Sequence, residues 1–298
     1  MTDYSSGCAW VDGEFVPYEA ATVPIADTGF QHADLTYDVV GVWGGAFFRL
    51  DDHLDRFEKS WQTICMNPPV TRSEMREILF ECVRRSSLRE AFVDMLVTRG
   101  IPHSRTADPR TFVNRFYAYA IPYVWIVPAE RQETGSHLVI AENTIRIPPE
   151  AVDPTVKNHH WGDLMQGMFE AFDRGGDLVV LPDAAGNVTE GNGFNVFAVA
   201  GERLYTPDRG VLEGVTRRTV IELASSVGID TVVAPLPVDD VRAADELFVT
   251  STAGGVMPVT VLDGETIGDG KPGPVTTRVR DLYWAAHSDP AYITPVDY

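Results

Sequence analysis

The stretch DPTVKNHHWGDL, residues 153–164, carries Lys157 in a setting unlike that of an ordinary surface lysine. The chain has 21 arginines but only 3 lysines, the other two being Lys59 and Lys271. Arginine replaces lysine in most surface roles, but it cannot become a neutral amine at ordinary pH and attack a carbonyl carbon. Lys157 is therefore a candidate nucleophile.

The composition indicates a folded, strongly acidic chain. Its 298 residues exceed the size at which one hydrophobic core usually stops growing, so two domains are expected. The net charge of −19 disfavours nucleic-acid and anionic-membrane partners, because phosphate contacts need clustered cations. The same acidity and the scarcity of lysine suit a salt-rich cytoplasm, where carboxylate repulsion is screened, and they predict a halophilic source.

The sequence shows no pattern typical of a membrane span, a signal peptide, a disulfide framework or a metal site. No apolar run approaches the about 18 residues needed to span a bilayer, and the start MTDYSSGCAW lacks the features of a signal peptide. We therefore expect a cytoplasmic protein without a membrane partner. The odd number of cysteines, without any CxxC pair, predicts neither a disulfide framework nor a zinc or other metal site; they are Cys8, Cys65 and Cys82.

The periodicity of the sequence predicts mixed strands and helices. Two amphipathic helices follow a pair of glycine-containing hairpins, the first capped by Asp51 or Asp52 and the second by a capping box of Thr71 and Glu74. The second half of the chain alternates strands with helices and ends in a helix that starts near Pro274. This pattern predicts an α+β fold class.

A change in composition predicts the domain organisation. The segment at 122–135 carries two prolines and then turns polar, so we expect an interdomain linker there. Residues 1–121 would then form a small N-terminal α/β domain, and residues 136–298 a larger C-terminal domain.

Two short motifs could bind a phosphate. EGVTRR, residues 213–218, leads into a periodic helix whose first N–H groups and whose Thr216 hydroxyl suit an anion. Taken alone, this motif is more often an ordinary threonine N-cap. Ser251 and Thr252 precede two glycines that would let a ligand approach the backbone.

A candidate acid completes a possible cofactor site. Glu190, in TEGNGFNVF at 189–197, could pair with a cationic ring nitrogen, although a hairpin carboxylate facing water is the alternative. Lys157, phosphate donors and such an acid are together what pyridoxal 5'-phosphate needs. Spacing alone leaves ordinary helix caps and glycine turns open as an explanation.

Longer stretches add a family resemblance. VPIADTGFQHADLTYDVVGVWGG (23–45), TEGNGFNVF, LEGVTRRTV (212–220) and TSTAGGVMP (250–258), with the Lys157 stretch, resemble the fold-type IV pyridoxal-phosphate aminotransferases. This group includes branched-chain and D-amino acid aminotransferases, and the resemblance is strongest to its (R)-selective amine transaminases. It covers residues 10–298 and implies a two-domain homodimer with the cofactor between the domains and the active sites at the subunit interface.

The resemblance implies roles for residues that would hold the cofactor. Lys157 corresponds to the lysine that bonds the cofactor and moves the catalytic proton, and Glu190 to the acid on the pyridine nitrogen. Arg56 corresponds to the phosphate-binding arginine; without the resemblance it would be taken for a solvated helix residue. The remaining phosphate contacts correspond to Val215, Thr216 and Thr252.

The resemblance also implies a substrate pocket lined by His32, Tyr37, Tyr119 and Trp161. Tyr119 stands where the amine transaminases usually carry phenylalanine, which makes the pocket more polar. Gly162 stands where branched-chain enzymes carry a tyrosine that contacts the cofactor, so the partner of the ring oxygen stays open. Arg105, in the loop at 101–110, lies where related enzymes keep a carboxylate-binding arginine, and an exposed loop arginine is the alternative.

The implied reaction is a ping-pong transfer of an amino group from an (R)-amine or D-amino acid to a keto acid such as pyruvate. Small amines, amino acids and keto acids are therefore the expected partners. A branched-chain or D-amino acid aminotransferase is the second hypothesis, and aminodeoxychorismate lyase, which shares the fold and cofactor, is the third. A cofactor-free binding protein with the same fold is the remaining alternative.

Overall fold

The computed structural model describes residues 2–298, which divide into two compact units. Unit 1 comprises the chain as far as Val124, together with Val156–His159 and His287–Tyr298. Unit 2 comprises Trp125–Thr155 and His160–Ala286. The segment that carries Lys157 thus belongs to unit 1, although it lies in the second half of the sequence. A division at 122–135 alone does not account for this return of the chain.

Unit 1 contains an antiparallel sheet. Its strands, numbered in chain order, are β1 (Cys8–Val11), β2 (Glu14–Pro17), β3 (Leu35–Trp43), β4 (Ala46–Phe48), β5 (Ala91–Thr98), β6 (Arg115–Pro122) and β16 (Ile293–Pro295). The strand order is β16-β4-β3-β5-β6-β1-β2, so the longest strands lie in the middle. Strand β16 comes from the end of the chain and pairs with β4 at one edge.

Helices cover one face of this sheet. The helices of unit 1 are α1 (Thr28–His32), α2 (Leu50–Thr63) and α3 (Arg72–Ser86), with short 3-10 helices at Tyr18–Ala20 and Pro109–Thr111. The apolar faces of α2 and α3 pack on alternate residues of β3, β5 and β6 in one buried cluster that includes Val40, Leu54, Phe57, Leu79, Val93 and Met95. The burial of this apolar surface stabilises unit 1.

The other face of the sheet carries a different set of side chains. Along β5, Val93 and Met95 point into the helix-covered core, so Asp94 between them points to the opposite face. Asp94 pairs directly with Val39 of β3 and with Tyr119 of β6. Partners across an antiparallel pair share a face, so Asp94 and Tyr119 lie side by side.

Unit 2 contains a mixed sheet that closes on itself. Its strands are β7 (Ser136–Ile140), β8 (Leu178–Pro182), β9 (Val188–Gly191), β10 (Phe194–Ala200), β11 (Arg203–Thr206), β12 (Thr231–Val233), β13 (Glu246–Ser251), β14 (Gly255–Leu262) and β15 (Glu265–Thr266). The order is β12-β11-β10-β13-β14-β7-β8-β9, with β15 on β14. Because β9 also pairs with β10, six strands form a closed ring.

The helices of unit 2 are α4 (Ala129–Thr134), α5 (Gly162–Asp173), α6 (Val215–Ser226), α7 (Val238–Arg242) and α8 (Pro274–Ala286). The inner face of α5 packs Leu164, Met168 and Ala171 against Val179 and Leu181 of β8. In the described part of the chain, no helix has both the length and the apolar character needed to cross a membrane.

The helix ends test two predictions about caps. The capping box of Thr71 and Glu74 is confirmed, since each side chain bonds the backbone N–H of the other residue. The predicted cap of α2 was wrong: the helix begins at Leu50, and its N-cap is Arg49 in the left-handed conformation, with a φ of 53°. Asp51 and Asp52 instead occupy the first turn, where negative charge favours the positive end of the helix dipole.

We expect the substitution Thr71→Ala to lower the stability of the protein by about 1 kcal/mol, because the first turn of α3 loses its side-chain acceptor. The midpoint of urea unfolding, followed by circular dichroism, measures the change. Thr71→Ser keeps the hydroxyl and is the matched control. An equal loss in both variants would show that the cap is not the cause.

Candidate active site

The Lys157 segment is fixed to strand β3 through its backbone. The carbonyl oxygen of Lys157 accepts a bond of 3.1 Å from the Tyr37 N–H and one of 2.7 Å from the Thr36 hydroxyl. Its Nζ lies 4.3 Å from the centroid of the Tyr37 ring. The His159 ring packs 4.4 Å from the same ring, measured between centroids. The lysine amine is therefore held over an aromatic face at one end of β3.

A buried ion pair lies next to this point on β3. Asp38 is fully buried, and both of its carboxylate oxygens accept hydrogen bonds from Arg56 of α2, at 2.7 and 2.8 Å. The side chain of Arg56 is only 12% exposed, so it is not a solvated helix residue. His53, one turn earlier on α2, places Nδ1 2.8 Å from Asp38 Oδ1.

The neighbouring charges and the burial of this cluster set the protonation states of Asp38 and His53. Burial alone would raise the pKa of Asp38, but the Arg56 charge and the bonds from His53 and Arg56 hold this pKa well below its usual range. Burial lowers the pKa of His53 despite the neighbouring carboxylate. A neutral His53 then donates its Nδ1–H to Asp38, since an ionised carboxylate only accepts. Asp38 therefore fixes the direction in which the Arg56 guanidinium points.

The face that carries Tyr37 also holds a second buried carboxyl group. Oδ2 of Asp94 accepts a hydrogen bond of 3.0 Å from the Tyr119 hydroxyl, and the side chain is almost completely buried. Burial raises the pKa of Asp94 to about 8, although the Tyr119 hydroxyl and the Lys157 charge oppose this shift. Burial and the nearby Asp94 also raise the pKa of Tyr119. The polar group beside Lys157 is thus an acid that changes charge near neutral pH.

In unit 2, Glu190 has both oxygens engaged. Its Oε1 accepts from Nη2 of Arg146 at 3.0 Å, and its Oε2 accepts from the Leu212 N–H at 2.7 Å. Arg146 bonds Asp163, at the start of α5, with its other terminal nitrogen at 2.7 Å. The side chain of Glu190 is 9% exposed, so the hypothesis of a hairpin carboxylate facing water was wrong. Glu190 is a desolvated, paired acid.

The loop that contains Leu212 leads into helix α6. The helix begins at Val215, and its N-cap, Gly214, makes no side-chain cap bond. Thr216 is therefore the second residue of the helix and is buried, so the hypothesis of an ordinary threonine N-cap was wrong. A Cβ at position 214 would lie 2.2 Å from Asn195 Oδ1, so any larger residue would displace the Asn195 side chain, which bonds the Leu212 carbonyl oxygen.

Leu212 links the two features of unit 2. Its N–H bonds Glu190, and its carbonyl oxygen accepts from Nδ2 of Asn195 at 2.9 Å. Residues 190 and 195 face each other across the β9–β10 hairpin. The carboxylate of Glu190 and the free N–H groups at the start of α6 are consequently held within one framework, which suits a ligand with a cationic end and an anionic end.

The turn that carries Thr252 is anchored to the same hairpin. Ser251, at the end of β13, donates its hydroxyl to the Gly193 carbonyl oxygen at 2.7 Å. The turn continues through Gly254 and Gly255, whose positive φ angles of 143° and 69° L-residues rarely adopt. Within unit 2, the structure therefore brings Glu190, the start of α6 and the Thr252 turn together around one hairpin.

Three of the predicted substrate residues, His32, Arg105 and Trp161, take no part in the hydrogen-bond networks described above. His32 ends α1, and Arg105 lies in the irregular segment between β5 and β6; both are exposed, and neither side chain forms a hydrogen bond or ion pair with any residue in the described range 2–298. Trp161 precedes α5 and packs against the apolar cluster around Leu164. The roles assigned to these three residues stay predictions.

Sequence reasoning missed several polar residues that the structure places next to the predicted ones. They are Asp38, His53, Asp94, Arg146 and Asp163. Their partners are distant in sequence, as for Arg146 and Glu190, so no local spacing relates them. One signal was available: Asp38 and Asp94 each interrupt an apolar strand, TYDVVGV and FVDMLV, and a carboxylate there must find a partner or change its pKa.

Comparison with known proteins identifies the family. The sequence profile of amino-transferase class IV matches residues 35–262, which is most of the chain. This chain belongs to the class IV aminotransferases. A Methanocaldococcus jannaschii protein named "Putative branched-chain-amino-acid aminotransferase" is 32% identical over 277 residues, covering 92% of this chain and 94% of its own. The D-alanine aminotransferase of Listeria monocytogenes is 29% identical over 283 residues, covering 92% and 93%.

Solved structures agree on the fold. The T.th. branched-chain amino acid aminotransferase, crystallised with pyridoxamine 5'-phosphate, superposes with a TM-score of 0.90 at 27% identity, over 99% of this chain and 100% of that one. The predicted fold-type IV aminotransferase fold is therefore confirmed, as are the predicted enzyme class and cofactor. The protein is a pyridoxal-phosphate-dependent aminotransferase.

The chemistry of the residues fits this cofactor. Lys157 supplies an amine that has no carboxylate within ion-pair distance in the described part of the chain. The start of α6 offers N–H groups without a side-chain cap, next to Gly214, where any larger residue would displace Asn195. Glu190 is a buried acid held by two donors. An amine, an anion site and a desolvated acid are the groups that pyridoxal phosphate requires.

We expect Asp38→Asn to destabilise the protein by about 3–5 kcal/mol, because it leaves the largely buried Arg56 without its counter-charge. Urea unfolding measures the loss. Asp55→Asn is the matched control on the same helix: Asp55 pairs with Arg72, and these side chains are 69% and 38% exposed, so that variant should lose less than about 1 kcal/mol. Similar losses in the two variants would contradict the special position of Asp38.

Proposed function

We propose that this aminotransferase moves an amino group from an (R)-amine, and in addition from D-amino acids, to a keto acid such as pyruvate. The observation that carries the proposal is the ionisable group beside Lys157 and Tyr37, which is the carboxyl of Asp94 and not a cation. A donor with a carboxylate must have that charge paired when it is buried. A simple amine has no such requirement, so the surroundings of Lys157 favour it.

The acceptor half-reaction makes a different demand, because a keto acid brings a carboxylate into the same site. With a pKa of about 8, Asp94 is largely neutral at pH 7 and does not repel that anion. We propose that Arg105, which is exposed in an irregular segment, pairs with the carboxylate of acids. The site would then bind an amine donor without a carboxylate in one half-reaction and a keto acid with a carboxylate in the other.

We propose that Lys157 provides the catalytic amine. It must be neutral when it attacks, and it must afterwards take and return the proton of the substrate carbon. The bonds from Tyr37 and Thr36 to its carbonyl oxygen fix the backbone, and the Tyr37 ring limits where Nζ can lie. An amine positioned in this way needs little reorganisation before it acts.

The remaining cofactor residues have supporting roles in the proposal. When bound, pyridoxal phosphate supplies an aldehyde and a ring that takes up the electrons left on the substrate carbon. Glu190 would keep the ring nitrogen protonated, with Arg146 holding the carboxylate in place. The phosphate would be bound by Arg56, by Thr252 and by the start of α6 at Val215 and Thr216.

Aminotransfer from amino acids is the second candidate. It is favoured by the names of the relatives, which are branched-chain and D-alanine aminotransferases. In that case Arg105 would bind the α-carboxylate of the donor as well as that of the acceptor.

We also propose a homodimer. On α5, Met165, Phe169 and Phe172 recur at helical spacing and are 43%, 55% and 61% exposed, which leaves an apolar stripe on the outer face of the helix. A second copy of the chain would bury this stripe.

We also propose that the protein works in a cytoplasm rich in salt, because its net charge of −19 causes repulsion that dissolved ions screen. Its activity and melting temperature should then rise with added salt.

We expect Lys157→Ala to abolish covalent retention of the cofactor. Borohydride treatment of the wild-type enzyme, followed by peptide mass spectrometry, should locate the cofactor on the peptide that contains residue 157. Lys59→Ala, which removes an exposed lysine of α2, should leave this label in place. A label on another peptide, or its persistence in Lys157→Ala, would refute the assignment.

A panel of single donors tests the substrate proposal. We expect (R)-1-phenylethylamine to convert the enzyme to its amine-loaded form in a stopped-flow absorbance experiment without any acceptor, and its (S)-enantiomer to react much more slowly. Both enantiomers of alanine and leucine are the comparison. If only L-leucine or D-alanine reacts, the second candidate is correct. Release of pyruvate from aminodeoxychorismate without an amino acceptor would instead reveal a lyase.

A further inference from the structure

Asp94 has a property that the transamination chemistry does not explain. Its Oδ1 is buried and makes no hydrogen bond within residues 2–298, although the Met95 N–H is close enough to lower the pKa of the carboxyl; Oδ2 is bonded by Tyr119. An acceptor left unpaired in a buried position normally costs about 1–3 kcal/mol, so few are retained without a reason. The orphaned oxygen lies on the sheet face that carries Lys157 and Tyr37.

We propose that Asp94, supported by Tyr119, recognises a second cationic group on the amino donor. The proposal deepens the proposed function, on which it rests, by naming the donor class: diamines and amino donors with a basic side chain. An ammonium group would donate a charge-assisted hydrogen bond to Oδ1 and so supply the partner that the protein lacks.

The surroundings of Asp94 support a preference for cations. On the sheet face of Asp94, β3 contributes Tyr37, β6 contributes Tyr119, and the 156–159 segment contributes Lys157. The ionised Asp38 lies on the opposite face with Met95 and acts on Asp94 only through its charge. Tyr18 stacks on Tyr119 with ring centroids 5.2 Å apart, and His159 packs on Tyr37. Aromatic faces attract an ammonium group as well, so the Tyr119 ring that bonds this carboxyl, with Tyr37 on the same face of the sheet, supports a cation site.

The proposal has a pH dependence of defined sign. Because the pKa of Asp94 is raised to about 8, its carboxyl is mostly neutral at pH 7 and mostly ionised at pH 9. A primary ammonium with a pKa of about 10.4 remains mostly charged over this range. The preference for a dicationic donor should therefore increase between pH 7 and pH 9.

The test compares donors that differ only in the terminal group. (R)-Hexane-1,5-diamine and (R)-heptan-2-amine differ by an ammonium in place of a methyl group, as do lysine and 2-aminoheptanoate. We expect the wild-type enzyme to prefer the dicationic member in kcat/KM, and Asp94→Asn to reduce that ratio by about tenfold or more. Asp51→Asn, which removes an exposed acid of α2, controls for net charge and should keep the ratio.

The outcomes separate the two proposals. A wild-type enzyme that reacts with heptan-2-amine but shows no preference for the diamine, or a preference that does not rise with pH, overturns the role of Asp94 and leaves the proposed function standing. If neither amine reacts but the amino acids do, the proposed function fails, and the ratio for D- and L-lysine over the matching 2-aminoheptanoate decides the role of Asp94. Because the pH series uses the wild-type enzyme, it is decisive even if Asp94→Asn does not fold.

Discussion

The two hydrogen bonds that tie the Lys157 carbonyl oxygen to β3 are the contact on which the rest of the site depends. Donors from Tyr37 and Thr36 bring a segment from the second half of the chain into unit 1. These contacts place the amine above the Tyr37 ring. A lysine elsewhere on the surface has the same chemistry but no defined position, and a reacting group that must be positioned anew loses much of its advantage.

Paired buried charges form the second constraint. Unit 1 buries Asp38 against Arg56 and His53, and unit 2 buries Glu190 against Arg146, which also holds Asp163. Desolvation opposes each pair, so such clusters contribute little to stability compared with a well-packed apolar replacement. These pairs instead orient side chains. Asp38 fixes the direction of the Arg56 guanidinium, and Arg146, which is held by Asp163, fixes the Glu190 carboxylate. The protein accepts the desolvation cost at the points where orientation matters.

Asp94 differs from these acids because its charge is not compensated. Tyr119 bonds one oxygen and Lys157 lowers the pKa only in part, so burial dominates and the carboxyl titrates near neutral pH. A group of this kind adds no order to the fold. Its place beside Tyr119 and Lys157 is the basis of its proposed role in the choice of substrate, which is the property that most distinguishes enzymes built on one fold.

The sequence by itself determined much of the local structure and the family of the protein. The capping box of α3 and the glycine before α6 depend on near neighbours, and the family motifs around Lys157 and Glu190 led to the correct fold, enzyme class and cofactor. The cap of α2 was mistaken because Arg49 adopts a left-handed conformation that short-range propensity does not favour. Only the tertiary structure decided which charges meet. The return of the 156–159 segment to unit 1 and the pairs formed by Asp38, Glu190 and Asp94 join residues up to 121 positions apart, and burial, which sets their protonation, is a property of the packed chain and not of any stretch of it.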